Sequence, residues 1–219
     1  MLIFVLPPIF TNPSAELAAD FSKFNVFSLP CAALALFLFL QDKREEKQLK
    51  DQKAGARLWR GLMGAGVFFW TLGFLLVLAA LLKALFVALK IQSQGNVVLP
   101  TDAAGYAACA LSLLAGAFYE ECLYRLYLPK ALRALASLKA GQAEPQKLAE
   151  KKMRAALDFF AEAAAVALFA LAHFWQGPWA VLNALLAGII LRVSFVKARG
   201  VWPPFLAHLL YNAAALLLS

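Results

Sequence analysis

A chain of 219 residues is the length of one domain, but 63% hydrophobic and only 16% charged residues exclude an ordinary water-soluble one. A domain this small cannot hide so much apolar surface inside itself, so lipid must cover the rest. The net charge of +8 does not point to nucleic acid, because the lysines and arginines fall in short runs between apolar stretches, where they set membrane orientation.

Taken in chain order, residues 1–10 are apolar, lack a basic n-region and contain Pro7 and Pro8. They read as a short interfacial or re-entrant piece, not a cleaved signal peptide. A spanning helix needs about 20 apolar residues. Residues 25–40 are the first candidate and a short one; residues 61–82 carry no charge at all. Residues 83–100 read as an interfacial helix followed by a loop, with Lys83 and Lys90 snorkelling. Residues 103–128 are long enough but contain Glu120, Glu121 and Arg125. Residues 157–174 begin with Asp158 and Glu162 and end at His173, and residues 179–196 and 202–218 complete the set. The expected fold is therefore all-α: a polytopic transmembrane helical bundle of about six spans, forming a single membrane-embedded domain over 1–219. Within it, residues 1–102 hold the N-terminal spans and the interfacial segment, and 103–219 hold the polar motifs.

The loops orient the bundle. Residues 41–60 and 130–154 each hold seven Lys/Arg and residues 192–200 hold three, whereas 91–102 and 174–178 hold none. That alternation fits six crossings with both termini outside, and the positive-inside rule puts the basic loops in the cytoplasm. The 41–60 loop mixes both signs and reads as a solvated helix beside the membrane. Trp175, Trp179 and Trp202 read as interfacial belt residues. The three cysteines, Cys31, Cys109 and Cys122, lie in apolar segments without a CxxC pair. This argues against a disulfide framework or a structural zinc site, and Cys122 reads as a small buried hydrophobe.

Ionisable residues inside a span are costly and usually face the bundle interior. Of thirteen acids only Glu120 and Glu121 sit deep in a span, and both histidines, His173 and His208, lie in apolar helices. Glu121 and Arg125 are one helical turn apart and can neutralise each other. Glu120 points about 100° away and is left for other work. His208 and Asn212 share a face at the same spacing, as do Phe169 and His173. One geometric demand follows. His173 lies at the far end of its segment, so it meets Glu120 and His208 only if the fourth helix starts in the cytoplasm and stops partway through the bilayer. Asp158 and Glu162 make its first turns wet, and Gly177-Pro178 ends it, which is tolerable where the backbone lines a cavity.

The patterns Glu-Glu-x-x-x-Arg at 120–125, Phe-x-x-x-His at 169–173 and His-x-x-x-Asn at 208–212 occur in that order on three hydrophobic helices. Together they resemble the signature of the CPBP family of intramembrane proteases, also called the type II CAAX prenyl endopeptidase or Abi family. The resemblance covers roughly residues 103–219. It implies hydrolysis of a peptide bond of a membrane-associated substrate near or within the bilayer. It further implies that Glu120 and His173 activate water, that His208 and Asn212 line the oxyanion site, and that Glu121 and Arg125 support them. Donors aimed at a developing oxyanion gain strength in a water-poor pocket, so the chemistry is sound on its own terms.

Two other functions stand beside the protease. One is a non-catalytic immunity or scaffold protein, since some relatives are linked to bacteriocin self-immunity; the other is a small transporter with Glu120 as its proton or cation site. The size and short loops suggest a prokaryotic cytoplasmic membrane, where a membrane-anchored protein tail or hydrophobic peptide fits better as substrate than a prenylated CAAX protein. Zinc on Glu120, His173 and His208, with water in the fourth position, is the metal alternative. Against it stand the absence of HExxH and the loss of Glu120 as a base once it ligates metal. The expectation is no metal and no other cofactor.

Overall fold

The computed structural model describes residues 19–20, 26, 28–48, 55–90, 97–139 and 147–217. Residues 1–10 and the polar stretch at 141–146 lie outside them. The helices are α1 (Ser28–Gln48), α2 (Gly55–Ala88), α3 (Ala103–Glu121), α4 (Leu128–Lys139), α5 (Lys147–Leu171), α6 (Pro178–Ala198) and α7 (Trp202–Leu217). A π-helical segment, Cys122–Tyr127, joins α3 to α4 without a break, and a short 3₁₀ turn, Phe174–Gln176, lies between α5 and α6. Two residues of extended chain, β1 (Ala19–Asp20), pair in parallel with β2 (Val97–Val98). The described residues are otherwise mostly helical, as their apolar run lengths require.

Among the described residues four stretches are long and apolar enough to cross a membrane: Met63–Ala88, Ala103–Ala136, Lys152–Gln176 and Pro178–Ala198. With α1, which turns charged beyond Leu40, and the shorter α7, they make six rods that match the six expected segments. This is a multi-pass membrane protein. Its outer faces carry bare apolar side chains such as Phe69, Val77, Leu81 and Phe159, which only lipid or another apolar surface can cover.

The rods end where the sequence supplies a cap or a breaker. Asp102 caps α3 by accepting the Gly105 amide at 2.6 Å. Gly177, at φ +98°, takes a conformation closed to most side chains, and Pro178 then opens α6. Two boundaries differ from expectation. The separate interfacial helix expected from Lys83 is instead the end of α2, which runs unbroken to Ala88; no glycine or proline interrupts the chain there. The solvated helix expected over 41–60 is not a separate element: its residues continue α1 to Gln48 and open α2 from Gly55.

Helix α2 packs on α6 and α7, α1 on α3 and the π segment, and α5 on α4 and α6. The larger core gathers Cys122, Leu123 and Tyr124 of the π segment with Phe169 and Ala170 of α5 and Ala184 of α6. Cys122 is fully buried there, as a small hydrophobe should be. A second core joins Leu75, Leu191, Ala207 and Tyr211, and the Tyr211 hydroxyl donates to Asn183 Oδ1 at 2.9 Å between α7 and α6. Gly188 lets α5 approach α6: a Cβ there would lie 3.0 Å from the Phe169 ring.

Candidate active site

At the junction of α3 and the π segment the backbone widens. The Cys122 amide is shared between the Phe118 and Tyr119 carbonyls, and the Leu128 amide reaches back five residues to Leu123. Such bulges recur at functional sites, because the extra residue per turn turns side chains in directions a regular helix does not offer. Glu121 stands at the start of this widening and Arg125 within it. Arg125 Nε lies 3.6 Å from Glu121 Oε2, with both side chains fully buried. The guanidinium lies over the Phe169 ring, 4.3 Å from its centroid, a cation–π contact of the kind that gains strength when desolvated.

The buried pair has a third member. His208, on α7, places Nδ1 3.0 Å from Glu121 Oε1 and Nε2 3.6 Å from Glu120 Oε2. An Arg-paired carboxylate offers only lone pairs, so the proton between Glu121 and His208 is assigned to Nδ1. The ring is thereby fixed by Glu121 with its other nitrogen toward Glu120, whose side chain is 27% exposed. One glutamate is buried; its neighbour reaches the accessible side of the same imidazole.

His173 sits just beyond the end of α5, and that ending sets its chemistry. Its amide bonds back to Ala170 instead of Phe169, which leaves the Phe169 carbonyl without its regular helical donor. The His173 ring fills the gap, with Nδ1 2.9 Å from that carbonyl. A carbonyl only accepts, so Nδ1 carries the proton and the lone pair is on Nε2. The Phe169 ring then joins the two histidines, edge-on, with centroids 4.9 Å from His173 and 6.0 Å from His208.

Ion pairs at the far end of these helices set the depth of His173. Arg133 Nε lies 2.8 Å from Asp158 Oδ1, and Arg133 also pairs with Glu162. From Arg133 back to Glu120 is thirteen residues, and from Glu162 on to His173 is eleven. Those are about 20 Å and about 17 Å of helix rise, so the two residues stand at similar levels. The fourth span does start well before its apolar part, at Lys147, as the meeting of the motifs demanded. Asp158 is exposed, and Glu162 is a quarter exposed.

Of the six residues singled out by sequence, Glu120, Glu121, Arg125 and His208 form one contact chain, and His173 joins it through Phe169. Asn212 lies one turn beyond His208 on α7, partly buried, and among the described residues its side chain makes no hydrogen bond. Two relations were not visible in the sequence. Glu121 is shared between Arg125 and His208, not committed to Arg125 alone. Arg192, counted with a basic loop, lies inside α6, where it pairs with Glu162 and donates to the Arg125 carbonyl at 2.7 Å. A charge within the apolar stretch 179–196 was the available signal. Trp202, expected in the belt, is half exposed and also stacks on Phe118. Among the described residues no three His, Cys, Asp or Glu side chains converge as metal ligands.

The class defined by these features is a polytopic helical membrane protein with an acid–imidazole site buried between its spans. Residues 102–214, just over half of the chain and including all three motifs, match the family model described as Type II CAAX prenyl endopeptidase Rce1-like. The chain belongs to that family, whose members are endopeptidases of the membrane acting on membrane-associated protein substrates. No curated protein and no solved structure matches it.

Proposed function

We propose that this protein is an intramembrane endopeptidase that hydrolyses a peptide bond of a membrane-anchored protein tail or a hydrophobic peptide. The observation that carries the reading is the His208 imidazole held between Glu121 and Glu120, with His173, whose Nε2 lone pair is free of the backbone, against the same Phe169 ring. Glu120 and His173 draw a proton from water, and the hydroxide adds to the scissile carbonyl carbon. His208 and Asn212 face the oxyanion. With Nδ1–H committed to Glu121, His208 donates from Nε2 when its ring carries both protons. The proton taken from water passes to the leaving amine as the C–N bond breaks. Glu121 and Arg125 touch no substrate; they hold His208.

No metal or other cofactor enters this scheme, and the bundle belongs in a prokaryotic cytoplasmic membrane with both termini outside. Protein reconstituted in bilayers, given a membrane-anchored peptide in ¹⁸O-labelled water, should yield a product with one ¹⁸O in its new carboxyl terminus. Turnover should survive exhaustive chelation. Loss on chelation with recovery by zinc alone would turn Glu120, His173 and His208 into ligands, and absence of any cleavage across a panel of such peptides would remove the protease reading. A cysteine at Gln142 should resist impermeant labelling from outside intact cells; labelling there would reverse the orientation.

A further inference from the structure

Pro129 opens a gap in the site's backbone. In an ordinary helix the Arg125 carbonyl accepts the amide of residue 129, and proline has no N–H to give. The gap falls where the π segment, whose last amide bond runs from Leu128 to Leu123, returns to α4. Pro129 is itself fully buried, so water does not supply the missing donor. Arg192 does, with Nη1 2.7 Å from the Arg125 carbonyl oxygen. The rest of its guanidinium is held by Glu162, which Arg133 also grips, and its plane faces the Phe195 ring at 5.0 Å. Only 14% of the Arg192 side chain is exposed. A fork-shaped cation fixed at one edge by a carboxylate presents its remaining N–H in one direction, and here that direction is the Arg125 carbonyl oxygen that Pro129 cannot serve.

The residue whose carbonyl is capped is the one whose side chain holds Glu121, and Glu121 holds His208. A return of residues 122–127 to regular helical register would turn the glutamate pair relative to α4 and α5. We infer that Arg192 is a positioning residue for the protease site: by capping the Arg125 carbonyl it stabilises the π register that aims Glu121 and Glu120 at His208. The inference rests on the protease reading for its kinetic consequence, but not for its structural one.

Arg192→Met should lower kcat on a membrane-anchored peptide by about 10²-fold, the scale of an ångström-size misplacement of catalytic groups, with KM little changed. Amide hydrogen exchange across residues 122–130 should accelerate in the same variant. Pro129→Ala returns an N–H to the position opposite Arg125, so Arg192→Met placed in that background should lose far less kcat and regain exchange protection. Arg192→Lys, which keeps a donor and the charge, should fall between. Unchanged exchange and unchanged kcat in Arg192→Met would overturn the inference, and so would an effect that Pro129→Ala does not relieve, since that marks a general packing role. If the wild-type protein cleaves nothing, the protease reading fails while the exchange measurements still decide the role of Arg192.

Discussion

At the charged end of the bundle Lys130 meets Asp42 at 2.6 Å, with side chains 50% and 26% exposed, and Arg133 meets Asp158 at 2.8 Å, with 37% and 61% exposed. A few turns further in, Arg125 lies 3.6 Å from Glu121, and neither side chain is exposed at all. The rim pairs have the shorter contacts and the smaller effect. In high dielectric an exposed pair contributes about 0–1 kcal/mol, whereas removing one partner of a buried pair costs about 3–5 kcal/mol, because the other charge is left without compensation. Distance alone misleads here; burial decides which acid–base contact the protein depends on. The inner pair also has a third member within the core, since His208 takes the second oxygen of Glu121.

The largest expected effect separates the two regions outright. Glu121→Gln should destabilise the fold by about 3–5 kcal/mol, read as a lower Tm and a lower yield in detergent. Replacing both partners together, as Glu121→Leu with Arg125→Met, removes both charges and should restore Tm close to that of the parent. Turnover should stay lost, because His208 Nδ1 then has no acceptor. A doubly substituted protein that cleaves normally would show that the buried pair serves stability only.

Next in size is Gly188→Ala. The new methyl meets the Phe169 ring at 3.0 Å, and overpacking of a filled core costs about 1–3 kcal/mol. Because Phe169 carries Arg125 on its face and both histidines at its edge, turnover should fall more than the Tm shift accounts for. Proportionate losses would confine Gly188 to packing. The smallest effect belongs to the rim: Asp42→Asn should shift stability by less than about 1 kcal/mol, and high salt should erase even that. A larger shift would put Lys130 and Asp42 in the same energetic class as the inner pair.

Much of this was legible in one dimension. Apolar length is a property of the chain itself, so each expected span lands on a rod. The acids and histidines stood out because they are expensive in lipid. Pairings within a helix were legible too, since Glu121 and Arg125 are four apart. Helix ends were less so: α5 begins at Lys147, ten residues before its apolar part, because Lys, Glu and Arg favour helix as well as water. Contacts between helices were not legible. Glu121 and His208 are 87 residues apart, and nothing local records that they meet. The π widening has no composition of its own, and Pro129 is its one trace. The depth of His173 depended on the register of α5 against α4, which Arg133 and Glu162 set across two helices.

We propose that Glu120, on the accessible side of His208, does the chemistry, while Glu121, on its buried side, holds the ring in place. It is tested most directly by single-turnover cleavage of a membrane-anchored peptide in bilayers by wild-type protein and by Glu120→Gln, with Tm measured on the same preparations. The Glu120→Gln rate should be lower by about 10²–10⁴-fold, the range of a lost general base, at an unchanged Tm. Cleavage by Glu120→Gln at close to the wild-type rate would contradict it.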